Sequence, residues 1–312
     1  MKVTLTIVPD PNDPTGLDGV VSAARCAADA GFSRLWFPQP PPWAEVAGWD
    51  ALTALAVAGA AAPGIELGSS VVIAYTQHPL ALARQALTAS AATDGRLILG
   101  IGVSHRFLVE DMLGYDYSAP AAFLREYLQV LGPAMTGGPV DHHGPRITAV
   151  GQLTVPKAPT APVIAAALGP RMLDLAGELT DGTVTTWTGP NTVERQIVPR
   201  ISRAAAGAGR PAPQVIVGLP VSVTSDVETA RNHIAATFSH QPADMPAYRA
   251  MMDLEGVDDI ADMCVFGDEA DVIAQLRRFA DIGATEFTAI PLGDNATQAR
   301  TVEVLAANRE LT

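Results

Sequence analysis

Lysine is almost absent from this chain: its 312 residues include only Lys2 and Lys157. Acidic residues outnumber basic ones 33 to 20, giving a formal charge of −13, and the arginines are scattered. Phosphate backbones need clustered Lys and Arg, so nucleic acid is excluded as a partner. Cysteine is also scarce. Cys26 and Cys264 lie far apart, and no CxxC or HExxH pattern accompanies them. Both read as buried small hydrophobes rather than as a disulfide, and no metal site is expected. No run of ~18 apolar residues is present to span a bilayer. The first residues alternate as a strand, Val3-Thr4-Leu5-Thr6-Ile7, without the basic start and cleavable apolar stretch of a leader. The expectation is a soluble, cytoplasmic protein without membrane partners.

What the chain has in quantity is apolar residues, 48% of the total, enough for a large core. They are organised by a recurring unit in which an amphipathic helix ends, a Gly follows, and a short apolar strand begins. Asp29-Ala30-Gly31-Phe32-Ser33-Arg34-Leu35-Trp36-Phe37 is one case, and Asp281-Ile282-Gly283-Ala284-Thr285-Glu286-Phe287-Thr288-Ala289 matches it closely in residue type. Glycine closes a helix C-terminus in the left-handed conformation at little steric cost. Connections this short favour adjacent parallel strands with right-handed crossovers. Strands are expected near 3–8, 34–38, 65–72, 97–102, 162–167, 182–187, 214–222 and 286–291. Eight parallel strands alternating with helices predict an α/β fold, a single-domain (β/α)₈ TIM barrel with insertions in its βα loops. A doubly wound open sheet is the alternative. Residues 136–156 fit neither helix nor barrel strand and read as an insertion between the fourth and fifth units. Residues 241–262 read as a second, helical insertion, and both are placed to cover the active face.

In such barrels function gathers in the loops after each strand. After the second strand, prolines stiffen Phe37-Pro38-Gln39-Pro40-Pro41-Pro42-Trp43, so Gln39 and Trp43 are held as a candidate ligand wall or, alternatively, as a rigid surface loop. After the third, His78-Pro79 reads as a helix start rather than a catalyst. After the fourth, Gly100-Ile101-Gly102-Val103-Ser104-His105-Arg106 allows close approach of a flat ligand beside an imidazole able to move protons. After the fifth, Ala166, Ala167, Leu168, Gly169 and Pro170 lead into a helix whose free N–H groups and dipole suit an anion. That dipole contributes only ~0.3–1 kcal/mol, so ring burial must supply most of any binding.

Taken together, Ile65–Val72, His78-Pro79, Gly95–Gly102, Ala165–Arg171, Leu175-Ala176-Gly177-Glu178 and Asp181-Gly182 resemble the luciferase-like superfamily. Within it, they resemble the deazaflavin (coenzyme F420)-dependent oxidoreductases. The resemblance covers nearly the whole chain and rests on order and spacing rather than on one motif. It implies a cis peptide at Ser70–Val71, bulging behind the central ring of the coenzyme. It implies that Gly102 and Val103 line the ligand and that Ala166, Ala167, Leu168 and Gly169 hold its phosphate-bearing tail.

In the sugar-phosphate dehydrogenases of that family a His stands at the position of Gln39 and a Glu at that of His105, while Trp43 is kept. The usual acid/base pair is therefore altered. His105 becomes the better proton donor or acceptor, with Gln39 orienting the substrate and Trp43 completing the catalytic set. The implied activity is hydride transfer between the deazaflavin and a small organic substrate, in a homodimer and without metal. An FMN-dependent monooxygenase is the alternative, disfavoured by the lack of an Arg cluster for a phosphate monoester. A non-catalytic coenzyme carrier is the third reading.

Overall fold

The computed structural model describes residues 1–8, 10–40, 42, 47–238 and 245–311. Eight parallel strands form a closed ring: β1 (Lys2–Thr6), β2 (Arg34–Phe37), β3 (Glu66–Ser69), β4 (Leu97–Gly102), β5 (Val163–Ala166), β6 (Gly182–Thr186), β7 (Gln214–Val223) and β8 (Glu286–Pro291). β8 pairs with both β7 and β1, which closes the barrel and rules out the open sheet. Helices α1 (Leu17–Asp29), α2 (Ala51–Ala61), α3 (Pro79–Ala92), α4 (Pro120–Met135), α5 (Pro170–Leu179), α6 (Val198–Gly207), α7 (Glu269–Asp281) and α8 (Asn295–Ala307) separate the strands. Among the described residues, no helix is long and apolar enough to cross a membrane.

Strand alternation decides what fills the barrel. Thr6 pairs with Trp36, Trp36 with Gly68 and Gly68 with Ile98, so these side chains share the inner face. Trp36, Ile98, Ile164, Val184 and Ile216 form an apolar cluster of their own, apart from the main core between sheet and helices. Gly68 is required opposite the indole, because a Cβ there would lie 2.4 Å from Trp36 Cε3.

The N-terminal end of the interior is ionic. Arg34 donates to the buried carboxylate of Glu286, and to Glu66 at 3.0 Å. Glu286 Oε1 also accepts from Trp36 Nε1 (2.6 Å) and Thr4 Oγ1 (2.7 Å). A buried charge persists when it is paired and its lone pairs are satisfied, and Glu286 meets both conditions.

Two expectations need correction. Residues 136–156 contain an antiparallel hairpin, Pro139–His143 paired with Thr148–Gln152. It follows α4 and precedes β5, so it sits in an αβ connection rather than a βα loop. Its turn is fastened to α4, where Glu126 Oε2 accepts the N–H groups of Arg146 (3.1 Å) and Ile147 (3.0 Å). The hairpin lines no part of the cavity described below. Cys26 is exposed, while Cys264 is buried. On α1 the inward residues are Val20, Ala24 and Ala27, and a residue two places beyond Ala24 points away from that face. The second insertion is helical, as expected. Helix Pro246–Glu255 lies within it, between β7 and β8, although residues 241–244 fall outside the described set.

Replacing Glu286 with Leu should cost about 3–5 kcal/mol, because it leaves Arg34 without its buried partner. Glu286→Gln, which keeps an acceptor for Trp36 and Thr4, should cost less. Urea denaturation checks both; an unchanged midpoint in Glu286→Leu would contradict this account of the barrel base.

Candidate active site

Above the Trp36 layer the barrel opens into a cavity of about 1260 Å³ at the C-terminal ends of the strands. Its floor is made of small side chains. The Ser70–Val71 peptide is cis, as the resemblance implies, and Ser70 and Val71 both line the floor. Gly102 faces Val71 and Ala166 so closely that a Cβ on it would lie 2.8 Å from Val71 Cγ2 and 3.1 Å from Ala166 Cβ. Deeper in β4, Gly100 meets the Ser69 carbonyl, and Ser69 Oγ accepts the Gly100 N–H at 2.9 Å. The floor around Gly102 is therefore made of short side chains and bare backbone.

Of the residues singled out in the sequence, Gln39, Ser70, Val71, Gly102, Val103, His105, Ala166, Ala167, Leu168 and Gly169 all line this one cavity. Pro170 does not; it is the exposed first residue of α5, directly after the Gly169 N-cap. Trp43 lies outside the described residues. His78 caps α3, its side chain accepting the Leu80 N–H at 3.3 Å, and stays out of the cavity. Gln39 is partly committed, since its Oε1 accepts the N–H of Ala51 at the start of α2 (2.9 Å). Its amide nitrogen is the part left for a ligand.

His105 is set in apolar surroundings. Tyr248, from the insertion helix, packs edge-on against its ring with centroids 4.9 Å apart. Burial pushes the imidazole pKa down from its ordinary value to about 4, because a charged ring loses its hydration there. At neutral pH His105 is therefore an uncharged imidazole, with one N–H donor and one lone pair. The sign for stability follows. Between about 6.5 and 4 the unfolded chain binds a proton that the folded one refuses, so this group destabilises the fold as pH falls through that window. Burial likewise pushes the Tyr248 hydroxyl up to about 12.

The next residue, Arg106, is committed elsewhere. It grips Glu110 through two bonds of 2.8 and 3.0 Å and lies over the Tyr117 ring. Tyr117 donates to the Ser104 carbonyl at 2.6 Å. Ser104 (φ 60°) and Trp187 (φ 53°) hold left-handed backbone where β4 and β6 end, and both line the cavity. For non-glycine residues this costs about 1–3 kcal/mol and marks loops held in place by their surroundings.

The insertion helix is anchored as well. Glu255, its last residue, accepts the N–H groups of Asn191 (3.1 Å) and Thr192 (2.8 Å) and the Thr192 hydroxyl (3.0 Å). Gly189 makes room for that carboxylate; a Cβ there would lie 2.3 Å from Glu255 Cδ. Sequence reasoning missed Tyr248, Trp187 and Phe238. Trp187 directly follows a barrel strand and could have been found by that position, whereas nothing in the sequence ties Tyr248 to His105. Among the described residues no group of His, Cys, Asp and Glu is placed to hold a metal ion.

Comparisons with known proteins agree with this geometry. A family model described as luciferase-like monooxygenase matches residues 2–286. A putative coenzyme F420-dependent oxidoreductase of Mycobacterium tuberculosis is 34% identical over 172 residues, which span 50% of this chain and 47% of that relative. A 5,10-methylenetetrahydromethanopterin reductase of Methanopyrus kandleri is 26% identical over 286 residues, covering 85% of this chain and 79% of that protein. Two solved structures share the fold. An F420-dependent secondary alcohol dehydrogenase superimposes with a TM-score of 0.83 at 16% identity, over 98% of this chain and 97% of that one. The oxygenating constituent of 3,6-diketocamphane monooxygenase from Pseudomonas putida, in complex with FMN, gives 0.78 at 16% identity, over 99% and 97%.

Removing the Tyr248 ring should let water reach His105. In Tyr248→Ala the imidazole, followed by NMR titration of the protein without ligands, should titrate well above about 4 and nearer its ordinary 6.5. An unmoved midpoint would mean that something other than Tyr248 keeps the ring dry.

Proposed function

The chain belongs to the luciferase-like monooxygenase family, and on that premise we propose that it is a deazaflavin (coenzyme F420)-dependent oxidoreductase acting on a small organic substrate. The observation that carries this reading is the floor itself. Val71, Gly102 and Ala166 present an apolar surface of short side chains at the strand ends, beside the first turn of α5. A broad planar ring system gains most of its affinity from such burial.

The residues present fit the coenzyme. Gly102 and Val71 would lie against its rings. Ala166 to Gly169 and the start of α5 would hold its phosphate-bearing tail, where the helix dipole favours an anion. Arg171, in that first turn, is exposed and has no carboxylate partner among the described residues. When bound, the coenzyme supplies or accepts the hydride.

This chain's own residues would orient, exclude water and place one hydrogen bond. His105, uncharged in its dry setting, would offer its N–H to a substrate oxygen, polarising it without a formal positive charge. Tyr248 would keep water from that contact, and the amide nitrogen of Gln39 would orient the substrate. FMN is the weaker fit. Its terminal phosphate monoester calls for clustered cations, and the described residues offer Arg171 alone at the start of α5, while Arg106 is paired with Glu110.

The test is turnover of reduced coenzyme F420 with a panel of carbonyl and electron-poor alkene acceptors. Wild-type protein should oxidise it with at least one of them. His105→Ala should lower kcat about 100-fold and leave coenzyme affinity little changed. Gly102→Val, which fills the floor, should abolish coenzyme binding. Full turnover in His105→Ala would remove that residue's role, and coenzyme binding by Gly102→Val would remove the proposed ring site.

A further inference from the structure

The aromatic wall of the cavity has a chemistry of its own. Trp187, 5% exposed, stands at the end of β6 with its ring 5.3 Å from Phe238, the last residue of helix Val227–Phe238. Both line the cavity, as do Met245 and Tyr248 from the insertion that follows. None of the described lining residues is Asp, Glu or Lys, and Arg106 is the single arginine among them. Glu110 takes both its bonds from Nη1 of that arginine, whose side chain is 62% exposed, so Arg106 is a hydrated surface cation rather than a buried one. Of the two lining histidines, burial keeps His105 uncharged at neutral pH. His233 is exposed at the rim, where an ion pair is worth little.

An anionic substrate would lose its hydration here and find no buried cation in return, which is the costly case for a charge. An ammonium would find no carboxylate among the described lining residues. An apolar body would find a Trp–Phe wall, and one oxygen would find the imidazole N–H.

We infer that the substrate of this enzyme is an uncharged, predominantly apolar molecule carrying one hydrogen-bond acceptor, its body against Trp187 and Phe238 and its acceptor at His105. The inference rests on the coenzyme reading above and adds the substrate class to it. Trp187 and Phe238 are then specificity-determining residues. The left-handed backbone at Trp187 is the structural cost of turning a large ring into the cavity where a strand ends.

The experiment is calorimetry on protein loaded with oxidised coenzyme F420, using decalone, a neutral bicyclic ketone, and its ring-carboxylated analogue as probes. Decalone should bind at least about 100-fold more tightly than the carboxylate. Trp187→Ala and Phe238→Ala should each weaken decalone binding roughly tenfold. Because Trp187→Ala alters a buried residue, Phe238→Ala carries the test where that variant does not fold. Equal binding of the two ketones overturns the inference, as does loaded protein that takes up neither. Undiminished decalone binding by coenzyme-loaded Phe238→Ala overturns it too. Loading is read separately from the coenzyme's own absorbance. Protein that takes up no coenzyme overturns the coenzyme reading, and this inference with it.

Discussion

A Trp–Glu hydrogen bond in the middle of the barrel sets where everything else lies. Trp36 fills the interior because its N–H reaches Glu286, and Glu286 is tolerable there because Arg34 and Thr4 complete its partners. The base of the barrel is consequently filled: charges at the N-terminal end, then one cluster in which the indole packs with Ile98, Ile164, Val184 and Ile216. The cavity of about 1260 Å³ therefore lies above this base, at the strand ends. Gly68 is part of the same constraint, since only a residue without a side chain can face the indole. The stability of the barrel and the location of its cavity share one cause.

At the open end the structure trades stability for shape. Ser104 and Trp187 hold unfavourable backbone conformations, and His105 is kept away from water at the expense of its basicity. These features are tolerated because neighbouring contacts fix them: Tyr117 on the Ser104 carbonyl, Phe238 on Trp187, Tyr248 on His105. The connection between β7 and β8 supplies two of those three: Phe238 ends helix Val227–Phe238, and Tyr248 lies on helix Pro246–Glu255. The second of these helices is anchored, because Glu255 ties it to the segment that follows β6. This connection therefore carries the cover of His105 and part of the aromatic wall, while the floor comes from the barrel itself. A neutral imidazole in such a setting acts by directed hydrogen bonding rather than by carrying a proton.

Much of this was legible in the sequence. The helix–glycine–strand repeat marked several of the strands and their apolar runs located the others, because a parallel barrel leaves period and punctuation in the chain. Gly102, Val103 and Ala166 to Gly169 line the cavity as their places at the ends of barrel strands led one to expect. What could not be read depends on long-range contacts. Arg34 and Glu286 looked like ordinary charges beside strands, and only closure of the ring turns them inward onto each other. Tyr248 lies far along the chain from His105, and no local pattern pairs them. Cys26 was misjudged because its neighbours are apolar while it is itself exposed, at one edge of the cavity. The hairpin at 139–152 escaped because its short, mostly exposed strands carry few apolar residues.

The central claim is that the small-residue floor above Trp36 is a deazaflavin site. A fluorescence titration of the coenzyme-free protein with coenzyme F420 and, separately, with FMN tests it most directly. The account predicts saturable, micromolar or tighter binding of the deazaflavin and markedly weaker binding of FMN. Preferential binding of FMN, or of neither, would contradict it.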